Sequence, residues 1–196
     1  MSIPTIALKI LFVAMIIATV VIRKPHEKRN KDNTITQDNK TNLEKTLLAL
    51  TSLGLMVLPL IYLVTPFFSF ADYTLPLYAQ VIGIALIPFM LWLFYRSHKD
   101  LGKNWSVSLE IRAEHNIVDT GVYKHIRHPM YTAIWIWVII QALLLNNYIA
   151  GLSGIIGFGA LYFFRVGREE SMMLEEFGQS YATYKKRTKR LIPFII

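Results

Sequence analysis

Apolar residues run in long blocks along this chain, and polar residues collect between them. Ile3 to Ile22 is apolar except for Lys9 and a few small hydroxyls, and further blocks run from Thr46 to Val64, Leu75 to Tyr95 and Tyr131 to Phe164. About twenty apolar residues in a helix cross the roughly 30 Å hydrocarbon core of a bilayer, so each of the first three blocks reads as one membrane span. The first reads as a retained helix and not a signal peptide, because Arg23 and Lys24 follow it and no small-residue cleavage pattern appears. Lys9, near its outer end, is expected to snorkel to the interface. Pro59 predicts a kink in the second span, and Pro88 lies inside the third. The last block is too long for one span. A turn at Asn146 and Asn147 divides it into two short helices, and Gly151, Gly154, Gly157 and Gly159 on the second suit close helix packing.

The polar segments complete the outline. Residues 23–45 read as a solvated loop. Residues 65–74 read as a short turn whose Phe67, Phe68, Phe70 and Tyr73 suit a membrane interface. In residues 96–129, the alternation Trp105–Val107–Leu109–Ile111 is expected to lie along the interface. The tail from Arg165 is charged and ends in an apolar foot, Leu191 to Ile196, as in a helix lying on a membrane surface. The expected fold is an all-α integral membrane protein. It has about five transmembrane helices, the last two a short hairpin, plus a C-terminal amphipathic cytoplasmic helix. It forms a single membrane domain over residues 1–196, with three N-terminal helices in 1–95 and the functional core in 96–196.

Composition agrees with a membrane protein. The chain is 54% hydrophobic and 17% charged, against about 25% charged in soluble domains. The absence of cysteine excludes disulfides, thiolate nucleophiles and cysteine-based zinc sites. The net charge of +8 would suit nucleic acid, but its placement favours the membrane. All but one of the 21 lysines and arginines fall on one side of a five-span alternating topology. By the positive-inside rule that side is cytoplasmic, which puts the N-terminus outside and the C-terminus inside.

Two polar clusters then face the cytoplasm. The first is Tyr123, Lys124, His125, Arg127, His128 and Tyr131, at the entrance to the fourth span. A basic loop for anionic headgroups would account for the charge. Two histidines in four residues exceed that need, and Pro129 at a helix start leaves neighbouring N–H groups available to an anion. The second cluster is Arg165, Arg168, Glu169 and Glu170. Arg165 and Glu169 are four apart and share a helix face, which alone is worth only tenths of a kcal/mol. Phe163, Phe164 and Val166 surround Arg165, however, and a charge at the membrane boundary is costly unless paired or used. The stretch His115 to Gly121 by itself is an ordinary loop or short strand. His26 and His98 read as surface residues. No histidine pair has zinc-protease spacing with a glutamate base, so no metal is expected.

Together these residues resemble the isoprenylcysteine carboxyl methyltransferases, and more broadly the membrane phospholipid methyltransferases. The family pattern appears as Ile117-Val118-Asp119-Thr120-Gly121-Val122-Tyr123 and as Arg127-His128-Pro129-Met130-Tyr131-Thr132-Ala133. An arginine-to-paired-glutamate pattern follows as Arg165 to Glu169-Glu170, continued by Leu174, Phe177-Gly178, Tyr181 and Tyr184. Leu101-Gly102 and Trp105-Ser106 match upstream, so the resemblance spans roughly residues 100–193. Ala133 stands where the pattern has glycine. The resemblance, to a prokaryotic-type member, implies a cytoplasm-facing S-adenosylmethionine pocket without a Rossmann fold, S-adenosylhomocysteine being the product. It implies that His115, Asn116, Ile117 and Val118 line the cofactor, and that Tyr123, His128, Pro129, Met130 and Tyr131 hold its methionine end and sugar. Glu169 would bind the cofactor from the tail, and Arg165 would hold the carboxylate of a prenylated cysteine.

The chemistry is compatible. A carboxylate is ionised near neutral pH and needs no general base to accept a methyl group. The protein has to orient two reactants and exclude water. Three other readings share parts of the pattern: a phospholipid N-methyltransferase, a nicotinamide-dependent membrane reductase related to the sterol reductases, and a non-enzymatic lipid-binding protein. The reductases carry a larger helix set. A lipid binder would depend on charge but not on His128 or Glu169 individually.

Overall fold

The structure is a computed structural model. It describes residues 3–30, 35–38, 41–102, 110–112, 116–193 and 195. His115, and Trp105 to Leu109 of the alternating segment, lie outside the described residues. Helix α1 spans Thr5–Asn30, α2 Asn42–Ser52, α3 Leu58–Val64, α4 Leu77–Leu101, α5 Pro129–Leu145 and α6 Tyr148–Arg187. Strand β1 (Ile35–Asp38) pairs antiparallel with β2 (Glu110–Arg112), which ties the first polar loop to the segment before the first cluster.

Four helical segments are long and apolar enough to cross a membrane: Thr5–Glu27, Asn42–Val64, Leu77–Leu101 and Tyr148–Arg187. Helix α5 is a shorter apolar helix of 17 residues, about 25 Å at 1.5 Å per residue. The interior is built where α1, α4 and α5 meet. Leu8, Phe12 and Met15 pack with Met90, Leu93 and Phe94 and with Trp137, Ile140 and Leu144. Lys9 finds a partner within the protein. Its Nζ donates to the Tyr62 carbonyl at 3.1 Å and lies 4.0 Å from the centre of the Tyr62 ring, a local alternative to water for a cation on an apolar helix.

Pro59 disturbs its helix one turn upstream of itself. A π-helical turn, Leu53–Val57, separates α2 from α3. In that turn the Leu58 N–H bonds the Leu53 carbonyl, five residues back. The next bond of the series would need an N–H on Pro59, which proline lacks. The Gly54 carbonyl left over accepts instead from Gln141 Nε2 at 2.9 Å and Ser153 Oγ at 2.8 Å. The side chains of α5 and α6 thus supply the hydrogen bond that the bent helix cannot.

Glycines bring α2 against α6. A Cβ on Gly157 would lie 2.7 Å from the Leu50 carbonyl oxygen, and one on Gly54 would lie 2.4 Å from that of Ser153. Thr51 Oγ1 donates to the Gly157 carbonyl at 3.0 Å across the same contact. Gly151 and Gly159 have ordinary clearances and do not set this spacing.

The turn between α5 and α6 falls at the asparagine pair. Asn146 adopts a left-handed conformation (φ 47°), and Asn147 caps α6 by accepting from the backbone N–H groups of Ile149 and Ala150. Asn147 also donates to the Phe68 carbonyl and to Asp72, each at 2.7 Å, which fastens the turn to the 65–74 loop. Helix α6 is not short. It passes through Phe164 and Arg165 without a break and runs 40 residues, with a kink at Gly178 (φ 50°). The apolar span and the charged tail are therefore one helix up to that kink. Arg165 is held inside the helix bundle, 7% exposed, because the same helix face that carries Tyr162 continues into it.

Candidate functional site

The first cluster is organised by Asp100, at the end of α4. Its Oδ2 accepts from the Val122 backbone N–H at 2.9 Å, and Arg96 holds the same carboxylate at 3.1 Å. The 3-10 turn Gly121–Lys124 begins on Gly121 at φ 58°, where a Cβ would lie 2.0 Å from Asp100 Oδ2. Glycine is needed there for both conformation and space. The turn buries Tyr123, whose hydroxyl donates to the Ser97 carbonyl at 3.3 Å and whose own carbonyl accepts from Tyr184 at 2.8 Å. Burial, and next the charge of Glu169, push the Tyr123 pKa well above its ordinary value of 10, so the group is a neutral phenol.

The tail returns alongside the loop. The backbone N–H groups of Arg127 and His128 donate to the carbonyls of Lys189 and Arg190 at 2.7 and 3.0 Å. Glu170 fastens this arrangement. Arg127 reaches it at 3.1 Å, His128 Nε2 at 3.3 Å, and Lys185 and Arg190 at 2.9 Å each. Arg127 also donates to the Thr188 and Lys185 carbonyls. A carboxylate has about four acceptor sites in its plane, so four donors saturate it.

Glu169, one residue earlier, faces the other way. It accepts from the Tyr131 hydroxyl and lies 3.7 Å from His128 Nδ1 and 3.8 Å from Arg165 Nε. His128 and Tyr131 stack with centroids 5.3 Å apart and planes 13° apart. Arg165 Nη1 is 3.6 Å from Oε1 of Glu44 in α2, which is fully buried.

His128, Tyr131, Arg165 and Glu169 border one cavity of about 510 Å³. Its wall includes Asn116, Ile117, Val118 and Tyr123 from the loop. His128, Met130 and Tyr131 join from the start of α5, and Arg165 and Glu169 from α6. Pro129 is buried at the first turn of α5 and does not border the cavity. Arg168 turns away, exposed, over the Phe164 ring. Thr19, Val20 and Arg23 of α1 and Leu48 and Thr51 of α2 close the opposite side, so the N-terminal helices share the cavity.

Sequence reasoning overlooked several residues. His98 is not a surface residue. The last turn of α4 carries it inward, its Nδ1 lies 2.8 Å from the Phe94 carbonyl, and it borders the cavity. Glu44 has capping-box spacing from Thr41, and Thr41 does cap its N–H at 3.1 Å, so nothing in the local sequence marks Glu44 as an ion-pair partner. Asp100 carries no local signal either, whereas Tyr181 and Tyr184, which continue the arginine-to-glutamate pattern, do border the cavity. Among the described residues no group of three histidine, aspartate or glutamate side chains could hold a metal.

Residues 84–175 match the sequence model described as the isoprenylcysteine carboxyl methyltransferase (ICMT) family. That match covers slightly less than half of the chain. Similar proteins named Protein-S-isoprenylcysteine O-methyltransferase include those of Schizosaccharomyces pombe, 32% identical over 82 residues, and Dictyostelium discoideum, 35% over 100. The human protein of that name is 31% identical over 118 residues, 59% of this chain and 42% of its own length. The first two alignments cover 42% and 48% of this chain and 35% and 40% of the relatives, so the chain spans less than half the length of these curated relatives. The structure of the eukaryotic intramembrane Ras methyltransferase ICMT superposes with a TM-score of 0.51 at 24% identity, covering 80% of this chain and 54% of that one. The fold is therefore shared with an ICMT-family membrane enzyme. With its apolar helices, the chain is a multi-pass membrane protein.

Proposed function

We propose that the chain is an S-adenosylmethionine-dependent membrane methyltransferase whose acceptor is the carboxylate of a prenylated cysteine. The observation that carries the reading is the meeting of Arg165 and Glu169, one helical turn apart, with the His128–Tyr131 stack on the wall of one cavity. In this reading residues 96–196 form the cofactor-binding core, the three N-terminal helices in 1–95 wall the acceptor side, and the cavity opens to the cytoplasm, with the N-terminus outside and the C-terminus inside.

The residues suit that cofactor. A volume of about 510 Å³ is within the roughly 300–1,000 Å³ of small-molecule sites. The apolar run Ile117–Val118 offers backbone polar groups to a base without a charge. Glu169 offers a carboxylate to a cation, and neutral Tyr123 adds no anion beside it. When bound, S-adenosylmethionine supplies a methyl group on a sulfonium: the S–C bond breaks, a C–O ester bond forms and a neutral thioether leaves. His128, Tyr131 and Glu169 hold the donor in place. Arg165 presents a planar fork that orients the acceptor carboxylate for in-line attack. No protein group has to take a proton, since the acceptor is already ionised. The helices around the cavity exclude water, which strengthens each of these contacts.

The test is calorimetric binding of S-adenosylhomocysteine to the detergent-purified protein, followed by tritiated methyl transfer to a farnesylated cysteine analogue. Saturable binding that Glu169→Ala weakens, with transfer that Arg165→Ala abolishes, supports the reading. Binding of NADPH in its place, or full transfer by Arg165→Ala, overturns it.

A further inference from the structure

Arg165 is approached from two sides. Glu169 stands on the cavity wall beside it. Glu44 stands elsewhere: it is fully buried, does not border the cavity and puts Oε1 3.6 Å from Arg165 Nη1. Its carboxylate therefore backs the guanidinium from within the helix bundle. It comes from outside the residues that match the family, 84–175.

We infer that Glu44 is a positioning residue that sets how tightly Arg165 holds an acceptor carboxylate. The inference rests on the carboxyl-methylation reading above. Methyl transfer turns an anion into a neutral ester. Whatever the guanidinium gains by holding the anion is lost as the new bond forms, so a strong grip lowers the ground state more than the transition state. In a site shielded from water a lone guanidinium would grip strongly. A second carboxylate behind it takes up part of the charge and leaves the planar fork in place. The acceptor then meets an oriented but attenuated cation, and the neutral product leaves a site whose charge is already balanced.

The scaffold holds the pair at a set distance. Thr41 caps the Glu44 N–H at 3.1 Å and fixes the first turn of α2. The Thr51 to Gly157 hydrogen bond at 3.0 Å and the missing side chain of Gly157 fix α2 against α6, which carries Arg165. Both partners sit on rigid helices, and neither has to move for the contact to form.

The test is steady-state methyl transfer with Glu44→Gln. Gln keeps an oxygen for the guanidinium and removes the charge. We expect the KM for the farnesylated cysteine acceptor to fall by about three- to tenfold and kcat to fall by a similar factor, as one strengthened charged contact would produce. S-adenosylhomocysteine affinity stays unchanged and reports the folded state. A role in packing alone would not lower KM. If Glu44→Gln does not accumulate folded, Glu44→Asp, which draws the charge back by one methylene, is expected to move KM and kcat in the same directions by less. An unchanged KM, or a raised one, in the folded variant overturns the inference alone. A wild-type protein that binds the cofactor product but does not methylate the carboxylate overturns the inference together with the reading it rests on.

Discussion

Arg127 and Glu170 lie 3.1 Å apart although 43 residues separate them, and both side chains are buried. This contact joins the loop before α5 to the middle of α6. Around it the tail residues Lys185 and Arg190 close on the same carboxylate, at 44% and 36% side-chain exposure. The buried partner and the exposed partners are expected to behave differently.

Glu170→Ala leaves the buried Arg127 guanidinium without its carboxylate. Breaking a buried pair by removing one partner costs about 3–5 kcal/mol. Lys185→Ala removes a half-exposed contact and is expected to cost about 1 kcal/mol or less. Chemical denaturation in detergent should separate the two variants, and near-equal losses would show that the hub does not act through burial.

Gly121→Ala meets two obstacles, the positive φ and the Asp100 carboxylate 2.0 Å from the new Cβ. The expected loss is about 2 kcal/mol or more, from strain of about 1 kcal/mol together with the clash. Adding Asp100→Ala removes the clash but not the strain. The double variant should therefore be less destabilised than the sum of the singles, which a double-mutant cycle reads directly.

Gln141→Leu strips two donors from the Gly54 and Ala150 carbonyls. Both carbonyls keep Ser153 Oγ, at 2.8 and 3.2 Å, so the expected cost is that of the lost hydrogen bonds, about 1 kcal/mol. Pro59→Ala restores the backbone N–H that would otherwise serve the bent turn, so the cost of Gln141→Leu should shrink in a Pro59→Ala background. Thermal unfolding of the four proteins checks this, and an unchanged cost would detach Gln141 from the proline.

Tyr123 carries a pKa raised above 10 in the folded protein. As pH rises through 10 the unfolded chain loses that proton first and the folded chain keeps it. Stability therefore falls with rising pH above 10, by about 1.4 kcal/mol per pH unit for one group, and is unaffected below it. Tyr123→Phe should flatten the alkaline slope by that one proton. An identical slope in the two proteins would mean that the phenol ionises normally.

Gly157→Ala places a methyl 2.7 Å from the Leu50 carbonyl, whereas the corresponding methyl at Gly159 meets only Trp135 at 3.5 Å. The first should separate α2 from α6 and shift Glu44 from Arg165, while the second should be nearly neutral. Unfolding curves together with acceptor KM distinguish them.

The outline of the helices was legible because a bilayer imposes its length on any span, and apolar blocks report that length directly. The hairpin at Asn146–Asn147 was legible for a local reason: asparagine tolerates the left-handed turn and caps the helix that follows. Arg165 and Glu169 could be placed together because their spacing puts them on one helix face, whereas the link from them to His128 and Tyr131 was implied only by the family resemblance. The tertiary structure decided the rest. That α6 runs unbroken through Arg165 depends on packing on both sides of a composition change that looks like a boundary. The carboxylates of Glu44 and Asp100 and the ring of His98 are turned inward by the way α2 and α4 pack, and no local residue spacing encodes a contact between helices 121 positions apart, as Glu44 and Arg165 are. Short-range chemistry is written along the chain, whereas the partner of a buried charge depends on which helix the fold brings against it.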